Sequence, residues 1–202
     1  MPDFSLDQAF HIYVGDKENM ALSKRLSAGD SFAAMERLGL TCDLADASLL
    51  TARYDADEDG RLSYWEFANM FLPGQAKARS ELSARKPGPV SDQTYSMFKA
   101  MLRAVLNAEA MCENLRQKLQ TGVSATLREL FDRLDCSTRG FLTQIELQTF
   151  FSAFPTIQGT NQERTTMMDA FIRRFNKDKL NGRISLPEFL DELTPKQENK
   201  HY

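Results

Sequence analysis

Histidine is almost missing from this chain: His11 and His201 are the only two in 202 residues, and both lie near the ends. No nucleophile–base constellation can be built around them and no phosphate-cradling loop is present, so an enzyme is the weakest class. Cysteine is scarce too. Cys42, Cys112 and Cys136 are odd in number and unrelated in spacing, which argues against a disulfide framework or a zinc site and for a reducing, cytoplasmic compartment. Neither sign of charge dominates: 25 Lys and Arg against 28 Asp and Glu leave a net charge of −3, which speaks against nucleic acid as a partner. No apolar run approaches the length of a transmembrane segment. The opening M-P-D-F-S-L-D lacks the basic start and apolar stretch of a signal peptide. Pro2 excludes a myristoyl glycine, and His201-Tyr202 carries no prenylation cysteine. With 42% hydrophobic and 26% charged residues, the composition suits a globular protein of one large domain or two small ones.

What is present is concentrated between residues 55 and 66, D-A-D-E-D-G-R-L-S-Y-W-E. Oxygen-bearing side chains stand at positions 1, 3, 5, 9 and 12: Asp55, Asp57, Asp59, Ser63 and Glu66. Gly60 takes position 6, where the chain must turn sharply, and Arg61 at position 7 need offer only its backbone carbonyl. Calcium is a hard cation that takes six to eight oxygens, and this spacing wraps one short loop around it, with Glu66 closing the shell bidentately. An acidic surface turn would have no reason to place apolar Leu62 at position 8. The segment resembles the EF-hand calcium loop at every liganding position, and the expected cofactor is Ca2+.

EF-hands work in pairs. The helix entering this loop is announced by Asp43 and Asp46 in capping-box spacing, followed by Leu44, Ala47, Leu50 and Tyr54. The exit helix runs through Trp65, Phe67, Met70 and Phe71 to Pro73-Gly74. About 36 residues upstream, 19–30 (N-M-A-L-S-K-R-L-S-A-G-D) keeps apolar Leu26 at position 8 and Asp30 at position 12. It has Ala21 at position 3 and Lys24 where the glycine belongs, so it reads as a hand that kept its fold and lost its metal. Phe32, Met35 and Leu38 share one face of its exit helix, which ends at Gly39. Leu26 and Leu62 are expected to face each other in the bridge between the loops.

M-E-R-L-G-L, a capped helix and D-A-D-E-D-G-R-L-S-Y-W-E-F together resemble the second hand of calmodulin- and centrin-type proteins. That resemblance implies four hands in two lobes. In the third, Asp135, Ser137, Gly140, Phe141, Thr143 and Glu146 fall at positions 1, 3, 6, 7, 9 and 12. Arg139 at position 5 replaces a ligand and repels the ion, so Asp135, Ser137, Phe141, Thr143 and Glu146 form a weak candidate site. Cys136 at position 2 points outward as an incidental thiol. The fourth hand has two readings. Counting from Gly182 as position 6 puts Lys177 and Lys179 at positions 1 and 3, whereas counting from Phe175 gives Asn176, Asp178, Asn181 and Glu188 with one residue inserted. Either way Ile184 is expected to bridge to Leu142. Apolar helix faces persist in both hands, from Leu127, Leu130 and Phe131 to Phe189, Leu190 and Leu193. Thr160 with Glu163 repeats the capping box.

Between the halves, 73–90 is basic and broken by three prolines and two glycines, as a linker or ordered loop would be. Its Lys77, Arg79, Arg85 and Lys86 read as a solvated basic stretch, the alternative being contact with an acidic partner such as tubulin or anionic lipid. Ser91-Asp92 then caps a long helix to Gly122, with Phe98, Met101, Leu102, Val105, Cys112, Leu115 and Leu119 at three- and four-residue spacing. It reads as a connecting helix packed on one lobe; the alternative is a helix that fills a lobe's groove or docks on a partner. Phe71-Leu72-Pro73, Arg85-Lys86-Pro87, the run from Glu113 to Leu119 and the run from Arg183 to Leu193 also resemble, in their order, four-hand proteins of protist cilia and cytoskeletal arrays.

The expectation is thus an all-α protein. Residues 1–72 form an EF-hand pair with one calcium site, 73–122 a linker and long helix, 123–195 a degenerate pair and 196–202 a polar tail. Its function is read as calcium binding and protein–protein binding in a structural or regulatory subunit of a cytoskeletal or ciliary assembly. The alternative is a calmodulin-like sensor that opens an apolar groove, for which Met35, Met70 and Phe71 are the candidate lining.

Overall fold

The computed structural model describes residues 3–15, 23–122, 124–153, 160–175 and 182–197. Among the described residues helices dominate, and the strands are two-residue bridges. The chain forms two compact units, Met1–Glu113 and Asn114–Tyr202.

In the first unit, α1 (Leu6–Val14) and α2 (Ala28–Arg37) flank the first loop, and α3 (Leu44–Tyr54) and α4 (Tyr64–Asn69) flank the second. Between them β1 (Leu26–Ser27) pairs antiparallel with β2 (Arg61–Leu62), setting Leu26 opposite Leu62 as their spacing predicts. Asp43 and Asp46 exchange both capping-box hydrogen bonds at the start of α3. The turn after α2 passes through Gly39 at φ +71°, where a side chain would be strained. Met70 caps α4, so Met70 and Phe71 lie in the turn beyond the helix.

The segment 73–90 is more ordered than a linker. Ala76–Ser83 forms α5, favoured by good helix formers and a Lys77–Glu81 pair one turn apart. Leu82 packs against the first core, and Arg85 donates to the Phe4 carbonyl at 3.3 Å. The basic stretch is therefore tied to the unit rather than wholly solvated. Next comes α6 (Asp92–Gly122), 31 residues long. Ser91 caps it, accepting from the Thr94 amide at 3.2 Å, and Asp3 accepts in turn from Ser91 and Thr94. These bonds hold the Asp3 carboxyl well below the usual carboxylate range.

Phe98, Leu102 and Leu106, four residues apart, bury one stripe of α6 in the first core. Phe98 is 1% exposed, with its ring centroid 5.5 Å from Phe71, 6.2 Å from Phe4 and 6.5 Å from Phe67. Phe10 and Tyr13 of α1 complete this aromatic cluster, their rings 5.0 and 4.9 Å from Phe67. Met35 and Phe71 are buried in the same core, and Met70 packs half-buried against it. Core packing was the other reading of these three beside the lining of an open groove, and Phe71 meets Phe98 of α6.

The second unit repeats the plan. α7 (Leu127–Leu134) and α8 (Gln144–Ser152) flank the third loop; α9 (Asn161–Phe175) and α10 (Leu186–Leu193) form the fourth hand. β3 (Phe141–Leu142) pairs with β4 (Ile184–Ser185), and Leu142 faces Ile184 as expected. Phe131, Leu147, Ile172, Phe175 and Phe189 are buried in its core. Thr160 and Glu163 form the capping box ahead of α9. On α10, Glu192 holds a buried ion pair with Arg116 at 2.8 Å and a second with Arg174 at 2.7 Å.

Candidate metal centre

The bridge and the two flanking helices fix the ends of loop 55–66, and hydrogen bonds to its own acidic side chains shape the interior. Asp55 accepts from the amides of Asp59 at 3.2 Å and Gly60 at 2.7 Å, drawing the loop back over its first residue. Glu58 at φ +59° and Gly60 at φ +78° supply the two left-handed turns. Asp59 accepts from the Arg61 amide at 2.8 Å. At the far end Ser63 is the N-cap of α4 and Glu66 its third residue, bonded reciprocally: the Glu66 carboxylate accepts from the Ser63 amide at 2.8 Å. The other Glu66 oxygen accepts from the Ala56 amide at 2.7 Å. One carboxylate thus ties the end of the loop to its beginning.

Of the residues singled out by spacing, Asp55, Asp57 and Asp59 converge, with ligand oxygens within 4.8 Å of one another. Glu66 is 5% exposed and faces the loop from its closing end. Burial pushes its carboxyl up, but the bonds from Ser63, Ala56 and Asp57 outweigh that and hold it below its ordinary value. The set is all oxygen, strongly anionic and built on one short loop, and it fits a hard divalent cation of calcium's size. Asp55, Asp57, Asp59, Ser63 and Glu66, with the Arg61 carbonyl, are the groups that would hold it.

One participant was not anticipated from the sequence. Arg25, just before β1, reaches across the bridge to the Asp57 carboxylate at 2.9 Å and also pairs with Asp59. The guanidinium beside Asp57 holds that carboxyl below its ordinary value. A basic residue at position 7 of a loop that has lost its ligands was the available signal, since the bridge brings that end of the first loop up to the second.

Loop 135–146 has the same backbone and a different charge. Asp135 accepts from the Arg139 amide at 3.1 Å and the Gly140 amide at 2.6 Å. Thr143 and Glu146 form the closing capping box, with 2.9 Å from the Thr143 amide to the carboxylate. Burial pushes Glu146 up, but the hydroxyls of Ser137 and Thr143 and then the loop amides prevail and hold it at about 2. The Arg139 guanidinium lies 3.6 Å from Glu146 and over the Phe141 ring at 5.1 Å, on which Arg183 also stacks at 4.4 Å. Position 5 thus sends a fixed cation towards position 12.

Asn19 and Ala21 of the first loop, and Asn176, Lys177, Asp178, Lys179 and Asn181 of the fourth, lie outside the described residues, as does His201. What is described of those hands shows why their closing acids persist: Asp30 caps back to Ser27, and Glu188 to Ser185. Ser27 with Asp30, Ser63 with Glu66, Thr143 with Glu146 and Ser185 with Glu188 each make a capping box at the helix that follows the loop.

Residues 124–194, which span the third and fourth hands, match the family model of the EF-hand domain pair. EF-hand domains bind Ca2+. No curated protein matches the sequence. The matched stretch does not include 55–66, where the case for a metal rests on the convergence of its own carboxylates. No helix among the described residues is long and apolar enough to cross a membrane.

Proposed function

We propose that the protein is a calcium-binding subunit that works through protein–protein contacts, with loop 55–66 as its metal site and its first helix pair held closed by its own α6. One observation carries this reading: Phe98 and Leu102 are each 1% exposed in a shared core with Phe67 and Phe71, the apolar residues that follow Glu66. A calmodulin-like sensor needs that face free for a target helix. Here the groove has an occupant from the same chain, which favours a calcium-stabilised structural or regulatory element. The cytoplasmic setting is supported by the three cysteines at unrelated spacings, and a cytoskeletal or ciliary assembly within it by the resemblance of the runs around Arg85-Lys86-Pro87 and between Glu113 and Leu119. The carboxylates of loop 55–66 belong to ion binding, so we read the chain as a binding protein and not an enzyme.

Trp65, the sole tryptophan, is 68% exposed beside Glu66 and serves as the reporter. Calcium is titrated into the full chain with about millimolar magnesium present, within the range of affinities EF-hands span, alongside Glu66→Gln. The expected result is a Trp65 transition lost in Glu66→Gln, with no calcium-dependent binding of a hydrophobic dye or of an amphipathic helical peptide. Dye and peptide binding that appear with calcium would replace this reading with the sensor. No heat or emission change up to millimolar calcium would remove the metal site.

A further inference from the structure

The metal-less first loop places a cation inside the second. β1 and β2 pair with Leu26 opposite Leu62, so the residue before β1 is delivered to the mouth of loop 55–66. Arg25 spans the gap and binds Oδ2 of both Asp57 and Asp59 through one guanidinium nitrogen. The remaining oxygens of these carboxylates are also engaged. Asp59 Oδ1 accepts from the Arg61 amide at 2.8 Å, and Asp57 Oδ1 accepts from the Asp59 amide at 3.4 Å. A calcium ion that takes Oδ2 of either carboxylate displaces the guanidinium; one that takes Oδ1, which can keep its amide bond on a second lone pair, meets the guanidinium's positive charge beside it.

We propose that Arg25 is a tethered competitor for the calcium site, a side chain of the paired loop that neutralises Asp57 and Asp59 without metal and must withdraw when calcium enters. The proposal rests on loop 55–66 being the metal site. Three consequences follow from the chemistry. Arg25 weakens calcium binding, because its ion pairs are lost on loading. It relieves the mutual repulsion of Asp55, Asp57 and Asp59 in the metal-free loop. Its effect is modest and salt-dependent, since its side chain is 48% exposed and such pairs are screened.

The test is calorimetric calcium titration of the full-length wild type, Arg25→Ala, Arg25→Lys and Lys24→Ala at about 0.1 M and about 0.5 M salt, where the screening length differs. Lys24→Ala removes the same charge one residue away. Arg25→Ala is expected to bind calcium about two- to fivefold more tightly than wild type at the lower salt, the fold-change an exposed pair supports. Lys24→Ala should change less, Arg25→Lys should fall between wild type and Arg25→Ala, and the difference should shrink at the higher salt. In the metal-free state Arg25→Ala should melt slightly lower than wild type. If calcium binds to the wild type and Arg25→Ala binds it equally or more weakly, Arg25 is not a competitor, although the site stands. An Arg25→Ala gain matched by Lys24→Ala also overturns the proposal, since general charge then explains it. Absence of binding in every variant overturns the site itself and the proposal with it.

Discussion

Loops 55–66 and 135–146 can be laid residue against residue. Position 1 is aspartate in both, position 6 glycine, position 9 a hydroxyl residue and position 12 glutamate. The φ angles at positions 4 and 6 are +59° and +78° in one loop, +52° and +79° in the other. At position 5 they part: Asp59 in the first, Arg139 in the second. In both loops an arginine nevertheless touches the acids. In loop 135–146 it is part of the loop and reaches position 12; in loop 55–66 it comes from the neighbouring loop and reaches positions 3 and 5. The two loops share one shape, and in each of them amide-to-carboxylate bonds draw the chain back over its first residue.

The surroundings of the exit helices differ in parallel. Phe67 and Leu147, one residue past the closing glutamate, are both buried. Four residues past it, Met70 packs half-buried on the first core while Phe150 is 41% exposed. Phe98 of α6 stands beside this stretch in the first unit. Phe98→Ala should produce the largest change of the set, a loss of about 3–5 kcal/mol from the first unit. Denaturation followed by Trp65, which lies in that unit, measures it. Phe150→Ala, at the exposed counterpart, should cost about 0.5 kcal/mol or less. Comparable costs at the two positions would erase the distinction between a covered and an uncovered face, and with it the case for a groove filled by α6.

Charge at position 5 gives the next largest effect. Arg139→Asp should restore the missing ligand and remove the cation facing Glu146. In a Glu66→Gln background, where loop 55–66 is silenced, calorimetry is expected to show new calcium binding in the range of about 10⁻⁵ to 10⁻³ M. Glu146 is already buried, bonded and ionised in the folded protein, so no rebuilding of the closing end is required. Failure to gain binding would mean that Ser137 at position 3, or Arg183 stacked on Phe141, disables the loop independently of Arg139.

The convergence of Asp55, Asp57 and Asp59 was legible in the sequence because the three stand at alternate positions of one short loop. The bridges were legible for a similar reason: position 8 is apolar in each loop, and Leu26–Leu62 and Leu142–Ile184 follow. The cover over the first core was less legible. The spacing of Phe98 and Leu102 established an amphipathic stripe but carried no information about which apolar face it would meet. The stretch 73–90 concealed a helix because its prolines and glycines cluster at its two ends, leaving Ala76–Ser83 free of both. Arg25 was hidden for another reason. It looks like a residue of a dead loop, and its role exists only across the bridge, between residues more than thirty positions apart.

Among the described residues the buried side-chain oxygens without a hydrogen-bond partner lie in the first unit. In the second, the buried acids Asp135, Glu146 and Glu192 each accept hydrogen bonds or ion pairs. In the first, Ser31 Oγ on α2 and Thr51 Oγ1 on α3 are buried without a hydrogen-bond partner among the described residues. An unpaired buried hydroxyl costs desolvation and returns nothing. Thr51→Val keeps the branched shape and removes that oxygen, so it should stabilise the first unit by about 0.5–1 kcal/mol. The Thr51 carbonyl, which accepts from the Asp55 amide at 2.9 Å at the start of the metal loop, is untouched by the substitution. Calcium affinity should therefore stay at the wild-type value while the denaturation midpoint rises. A lowered midpoint would show that the Thr51 hydroxyl has a partner such as ordered water, and that the first unit is as well satisfied as the second.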